Sequence, residues 1–540
     1  MTKQIDIFNQ TGSKLVFLLG LQPYARILFV GRRTKRWYEE LRGRFDCHIT
    51  SDSLGPEVEP HGSASCQMQT TKNYQLIIWD ISSENNLMTL NRQLMKVRDH
   101  LAPNGRLALL ASNRYSLHRF LGRYILRTGY AQWPGPCLSS CNYKALLKKA
   151  GFSEVMEFLA IPNLESMEEL VASDIGYIQF PAYYHIIFKI AQALGCYKFI
   201  NDDYLYIASI KEENPIKGFL SWLQIRLAEK LEYNYKLKLT KCLLQQRGAL
   251  ILLIRDIISR KQFVVRVATS PEIDIKISRN NFWITEILSN ERIPQDVKNK
   301  MPKPLGKLEY LRSFLYIEEM LPGILAWKVK AKERINSKIF TNAYQFIYEL
   351  NKSTSQLITI NDEIFNDLVK KDVDILMTQL SDIEDSKKVI GDITTYLKIR
   401  LLNRKHYLVW GHGDYSYGNI LVDPKNGELL GVIDWDNGRN REFPGIDLLN
   451  LIIQSHRGKK SLGRCFQEVW ESSLSKGLIA PNTEGHYEKV FGISKTNSGV
   501  ILALFCLHFF GREAQYSSSF LSIKKECFTV MTWLKDKLYS

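Results

Sequence analysis

The chain has 540 residues, of which 45% are hydrophobic, 11% aromatic and 24% charged; this excludes a largely disordered protein and, at about 100–200 residues per domain, calls for several domains. Lys and Arg number 72 against 56 Asp and Glu, a formal charge of +16, which leaves nucleic acid, an anionic membrane surface or an anionic substrate as partners. The nine cysteines are odd in number and form no CxxC pair, so neither a disulfide framework nor structural zinc is expected, and a reducing cytoplasm fits.

The first residues are polar and lack the apolar core of a signal peptide. Residues 26–31 form a short apolar run ending in Gly31, and residues 74–80 form another ending in Asp80; both predict strands. Apolar residues at 87, 90, 94, 97 and 101 recur at helical spacing. Pro103-Asn104-Gly105 is a turn signal, and residues 106–112 resume a strand. A helix around 143–150, a stop at Gly151, a strand at 154–160 and a closing strand at 203–210 complete this region. Strands interleaved with helices predict a mostly parallel sheet covered on both faces. The boundary falls at residues 212–216, a polar stretch with Pro215.

The second half has another rhythm. Residues 249–256 and 263–268, joined by a turn at 259–262, predict a hairpin. A helix around 281–289 and a strand at 314–319 follow, and residues 342–402 read almost entirely as helix. The longest apolar run, residues 500–510, is interrupted only by His508. It is about half the ~20 residues that span a bilayer, so it reads as a buried helix.

One polar cluster stands between apolar segments. His412-Gly413-Asp414 is followed by Asn419, and fifteen residues beyond Asn419 a second apolar run delivers Asp434 in Val432-Ile433-Asp434-Trp435-Asp436. Magnesium takes oxygen ligands and keeps several waters, so one carboxylate and one amide oxygen are a plausible protein share. A separate carboxylate can orient a hydroxyl and accept its proton. These are the parts that phosphoryl transfer requires.

The segment resembles the catalytic and metal-binding loops of the aminoglycoside phosphotransferase and choline kinase superfamily, relatives of the protein kinases. The resemblance implies that Asp414 is the catalytic base and that Asn419 and Asp434 hold Mg2+, with His412 and Gly413 shaping the loop. Pro444-Gly445-Ile446-Asp447 resembles the family's P-x-x-D element, which makes Asp447 a buried structural acid. Residues 316–323 resemble the hinge beneath which the adenine of ATP sits, and so put Glu318 and Met320 in the nucleotide site. The family places a Lys on the third strand of the small lobe to hold phosphates. Arg266 stands at the matching position here, with Lys276 as second choice and Glu286 as the acid expected to orient the cation. Gly248 is the only glycine of the expected phosphate-covering loop.

Residues 26–210 resemble the S-adenosylmethionine-dependent methyltransferase fold, through the strand ending at Gly31, Leu101-Ala102-Pro103-Asn104-Gly105, and Ala150-Gly151-Phe152. The family's Gly-rich cofactor turn is replaced by Arg32, Arg33, Lys35 and Arg36, so S-adenosylmethionine is not expected to bind. A degenerate site would comprise Gly31, Asp52 and Asp80; the four cations could instead meet a phosphate or an anionic headgroup.

The expected fold is therefore an α/β Rossmann-like methyltransferase fold over residues 1–211, a linker at 212–216, and an α+β bilobal protein-kinase-like fold over 217–540. The small lobe is expected at 217–323 and the large lobe at 324–540. The expected function is ATP- and Mg2+-dependent transfer of phosphoryl to a hydroxyl of a small molecule, such as a sugar or glycan intermediate. Arg457, Lys459, Lys460 and Arg464 follow the core and disfavour a polycationic acceptor, leaving a neutral or anionic one. No nucleic acid partner is expected, and the location is cytoplasmic, with peripheral contact to an anionic membrane left open. Two further readings also stay open: a non-catalytic binding protein with both domains degenerate, and a methyltransferase with an accessory kinase-like domain.

Overall fold

The computed structural model describes residues 21, 25–31, 34–42, 45–50, 74–81, 87–112, 140–161, 169–172, 203–210, 215–244, 249–311, 313–329, 333–456, 461–472, 486–492, 497–515 and 517–539. Two compact units divide the chain: Met1–Asp274 with Leu305–Glu319, and Ile275–Pro304 with Met320–Ser540. Of the expected linker, 212–214 lie outside the described residues, and a helix already begins at Pro215.

The first unit is organised on a 12-stranded sheet. Strands β1 (Arg26–Val30), β2 (Asp46–Thr50), β3 (Tyr74–Asp80) and β4 (Leu101–Ser112) run parallel in the order β2-β1-β3-β4. They are followed in sequence by β5 (Glu154–Ile161), β6 (Glu169–Ala172) and β7 (Asp203–Ser209). Strand β7 inserts antiparallel between β4 and β5, and β6 pairs antiparallel with β5. The sheet is therefore parallel on one side only, unlike the mostly parallel sheet expected, because the strands after β4 return antiparallel.

Both faces of the parallel part are covered. Ile27, Phe29, Leu76 and Ile78 pack with Trp37 and Leu41 on one face. Their neighbours Leu28, Val30, Ile77 and Trp79 pack with Leu90, Leu94 and Tyr143 on the other. The alternation follows from the two-residue period of a strand, and burial on both sides explains the continuous apolar runs. Pro103-Asn104-Gly105 does not break the chain into a turn; it lies inside β4, at an irregularity in the β3–β4 register. A Cβ on Gly105 would stand 2.6 Å from the Tyr74 carbonyl oxygen, so only glycine fits this close approach.

The sheet continues through β8 (Leu237–Leu244), β9 (Leu250–Asp256), β10 (Gln262–Val267), β11 (Pro304–Tyr310) and β12 (Ser313–Glu319), in the order β8-β9-β10-β12-β11. The predicted hairpin is β9–β10, turning through Arg260 at φ 61°. Strand β6 pairs with β8 across Leu170 and Cys242, which joins the two halves of the sheet. Helix α1 (Pro215–Leu231) lays Phe219, Leu223 and Leu227 against Leu252, Ile254 and Val265.

In the second unit, two three-stranded sheets carry the polar cluster. One takes β13 (Ile324–Leu325), β16 (Ile420–Val422) and β17 (Leu429–Val432); the other takes β14 (Gln356–Thr359), β15 (Lys405–Gly411) and β18 (Arg439–Glu442). Around them pack α2 (Pro271–Ser289, from Ile275 onward), α3 (Glu333–Thr354), α4 (Lys371–Gln379), α5 (Ser386–Leu401), α6 (Ile446–His456), α7 (Ser498–Ala514) and α8 (Ser517–Tyr539). The long apolar run is α7, buried on all sides from Ser498 to Gly511, as its composition requires. No helix among the described residues is long and apolar enough to cross a membrane.

Candidate active site

Strand β15 ends at Gly411, and the chain turns through residues 412–419 before β16 begins. The turn is held from beneath by Asp447, 4% exposed, whose carboxylate accepts from the His412 N–H at 2.6 Å and the Gly413 N–H at 2.9 Å. Burial raises the Asp447 carboxyl above its usual range despite these two donors. His412 is fully buried against Trp435, with ring centroids 4.4 Å apart. Its Nδ1 accepts from the Asp414 N–H at 3.2 Å, which leaves Nε2 as the nitrogen that donates to the Ile433 carbonyl at 3.0 Å. His412 and Gly413 are thus joined to Asp447 by backbone hydrogen bonds, and Asp414 to His412.

Gly413 has φ +78°, and a Cβ there would lie 2.2 Å from the Asn437 carbonyl oxygen. Gly413→Ala combines a left-handed backbone with an overlap against main chain. We expect it to cost about 2 kcal/mol or more, read as a lower urea midpoint.

Asn419 closes the turn. Its Nδ2 donates to the Asp414 carbonyl at 2.9 Å and to Asp414 Oδ2 at 3.2 Å. The β16–β17 hairpin then brings the second acid alongside, since the Ile433 N–H donates to the Asn419 carbonyl at 3.0 Å. Asp434 follows in the left-handed region, at φ 68° and ψ 58°. A non-glycine residue held there is strained by about 1–3 kcal/mol, a cost usually found at functional positions.

The donor set can be tested against a metal. No group of three or more His, Cys, Asp or Glu suited to a metal occurs among the described residues. What the hairpin juxtaposes is one amide and one carboxylate, with the Asn419 amide nitrogen turned towards Asp414 and its oxygen left for another partner. An amide oxygen and a carboxylate are hard oxygen donors, the ligand chemistry that suits Mg2+ rather than a His- and Cys-rich zinc site.

Three side chains outside the expected set complete this centre. Asn450 Nδ2 donates to Asp414 Oδ1 at 3.3 Å and to the Tyr415 carbonyl at 3.1 Å. Arg512 of α7 pairs with Asp414 Oδ1 at 2.9 Å and donates to the Gly413 carbonyl at 2.6 Å. Asn280 of α2 accepts the Trp435 N–H at 2.7 Å. Arg512 had one signal in the sequence: with His508 it lies a helical turn apart at the polar end of the apolar run.

Lys276, the second choice for the phosphate cation, pairs with Asp436 at 2.8 Å, two residues after Asp434. Glu286 is half-buried on the same helix. In the first unit Arg266 and Glu318 lie diagonally across β10 and β12 and pair at 3.1 Å, both largely buried. The acid that meets Arg266 on that sheet is therefore Glu318. Met320 follows β12, half-buried. Gly248 lies outside the described residues.

At the other end of the first unit, Gly31 has φ +94° and its Cβ position lies 2.7 Å from the Asp80 carbonyl oxygen, so the ends of β1 and β3 touch. Asp80 is buried. Asp52, Arg32 and Arg33 lie outside the described residues, as do Arg457, Lys459 and Lys460. Arg464 forms an exposed pair with Glu468 at 3.3 Å, the solvated arrangement that contributes little.

Residues 284–452 match the APH phosphotransferase enzyme family. The match spans Asp414, Asn419, Asp434, Asp447 and Asn450, and ends before Arg512. No curated protein matches the chain. Among solved structures, the chain is similar to an aminoglycoside-3'-phosphotransferase of type VIII, with 15% identity over 53% of this chain and 98% of that one and a TM-score of 0.31. It is also similar to a choline kinase from Cryptosporidium parvum, with 12% identity over 59% and 96% and a TM-score of 0.39. A third similarity is to a SAM-dependent methyltransferase, a possible histamine N-methyltransferase from Thermotoga maritima: 14% identity, 38% and 91% coverage, TM-score 0.24. The matched segment thus contains the 412–419 turn and the hairpin that follows it.

Proposed function

We propose that the chain is an ATP- and Mg2+-dependent phosphotransferase acting on a hydroxyl of a neutral or anionic small molecule, a sugar or glycan intermediate being the acceptor class favoured. The observation that carries this reading is the Asp414 carboxylate, held by Asn419, Asn450 and Arg512 in a turn that belongs to the phosphotransferase match. Asp414 orients the acceptor hydroxyl and takes its proton as the oxygen bonds to the γ-phosphorus and the bond to the leaving ADP breaks. Asn419 and Asp434 would hold Mg2+, which neutralises phosphate charge when bound. His412 and Asp447 keep the turn rigid, so that the base does not have to reorganise during the reaction. Glu318, Met320 and Glu286 are assigned to the nucleotide side, with Arg266 or Lys276 as the phosphate cation.

Residues 1–211 are read as a methyltransferase-like domain without S-adenosylmethionine, and 217–540 as the kinase-like domain. The strand order β2-β1-β3-β4 with antiparallel β7 inserted before β5 supports the first part. The six described cysteines that are free thiols support a reducing, cytoplasmic location.

A non-catalytic reading draws on the Arg266–Glu318 pair, which occupies the cation expected to meet phosphate. Thermal unfolding with magnesium–ATP separates the two. A working site at about 100 times its Kd gains about 2.7 kcal/mol, a shift of several degrees. We expect that shift in the wild type and its loss in Asp434→Ala. An unchanged Tm in the wild type would refute the proposal.

A further inference from the structure

We propose that Arg512 is a positioning residue for phosphoryl transfer, reaching the base from a helix beyond the family-matched segment. The proposal rests on the phosphotransferase reading of Asp414 given above. One guanidinium nitrogen, Nη1, meets both Asp414 Oδ1 at 2.9 Å and the Gly413 carbonyl at 2.6 Å. It therefore ties the side chain of the base to the backbone just before it. The same carboxylate oxygen takes the Asn450 amide at 3.3 Å, whereas Oδ2, among the described residues, takes only the Asn419 amide at 3.2 Å. With Oδ1 committed, Oδ2 is the oxygen that receives the hydroxyl proton while the acceptor oxygen bonds to phosphorus and ADP departs with the electron pair of the broken bond.

Arg512 is itself fixed in place. Its guanidinium lies 5.6 Å from the centre of the Phe509 ring. One turn earlier His508 is bound to Asp372 at 2.6 Å, which sets the register of α7 against α4. The side chain of Arg512 is 15% exposed, so water does not readily replace its two contacts. A lysine ammonium keeps the charge but lacks the planar fork on a stem of this geometry.

The test measures magnesium–ATP turnover with water as acceptor, which needs no knowledge of the natural one, in the wild type, R512A, R512K, D414N and the D414N/R512A double variant. Misplacing the base costs about 100-fold in kcat for R512A, with the nucleotide KM unchanged. R512K recovers part of this, and added guanidinium ion at millimolar concentration restores R512A. Because Arg512 acts through Asp414, the double variant is no slower than D414N alone. A merely structural role would lower kcat again in the D414N background and would not respond to guanidinium. R512A with wild-type kcat, or the same further loss in the double variant, overturns the proposal; should R512A not fold, R512K carries the same comparison. A wild type that neither binds nor turns over magnesium–ATP overturns the parent reading, and this proposal with it. Wild-type turnover lost in D414N but kept in R512A overturns this proposal alone.

Discussion

Replacing Asp414 by Asn is expected to lower phosphoryl transfer by about 10³-fold while leaving the magnesium–ATP thermal shift in place. The amide keeps the size of the carboxylate and can still accept from Arg512 and Asn450, so the turn should survive. It cannot accept a proton, and its own NH2 would face the Asn419 Nδ2 that now donates to Oδ2 at 3.2 Å. Two donors at that separation repel, which further misplaces the side chain. Transfer is measured with labelled ATP and binding by thermal shift on the same sample. Undiminished transfer by this variant would remove Asp414 from the mechanism, whatever the family match says.

The second large effect concerns stability. Asp372, Glu442, Arg439 and His508 form a buried network from α4, β18 and α7. Asp372 accepts from His508 at 2.6 Å and pairs with Arg439 at 3.2 Å, and Glu442 lies 3.4 Å from His508. Burial alone would raise both carboxyls, but hydrogen bonds and charges from His508 and Arg439 prevail and hold them below their ordinary values. Burial and Arg439 would lower His508, but Glu442 and Asp372 prevail and hold it above its ordinary value.

Asp372→Ala leaves two cations facing one acid in the interior. It should cost about 3–5 kcal/mol in urea unfolding. A loss below about 1 kcal/mol would show that water replaces the pairing.

The same network sets a pH window. The carboxyls contribute stability above the ordinary carboxylate range, and lose it as pH falls through their depressed values. His508 contributes fully below its ordinary value, and loses this as pH rises through its raised one. Unfolding free energy should therefore fall at both ends in the wild type. The alkaline fall attributable to His508 should disappear in His508→Phe.

Local chemistry made much of the molecule legible in advance. The apolar runs at 26–30 and 74–80 became β1 and β3 because burial on both faces leaves no polar alternation to obscure them. The hairpin at β9–β10 and the buried α7 followed from equally local signals. The 103–105 turn signal misled, since a proline and a glycine fit a strand where the register is irregular and a neighbouring carbonyl comes close. Strands β8 and β11 carried mixed polar and apolar residues, and only their neighbours in the sheet make them strands.

The sequence by itself determined the candidate base, amide and second acid, because a turn and a hairpin bring Asp414, Asn419 and Asp434 together within some twenty residues of chain. Only the tertiary structure decided what holds Asp414. Asn450 and Arg512 reach Asp414 from 36 and 98 positions away, Arg512 from a helix whose apolar composition announced only burial. It also decided that Arg266 meets Glu318, and that β6 and β8 join the two halves of one sheet. Contacts within a turn follow from spacing along the chain; contacts between distant segments depend on how whole helices and strands pack, which spacing does not encode.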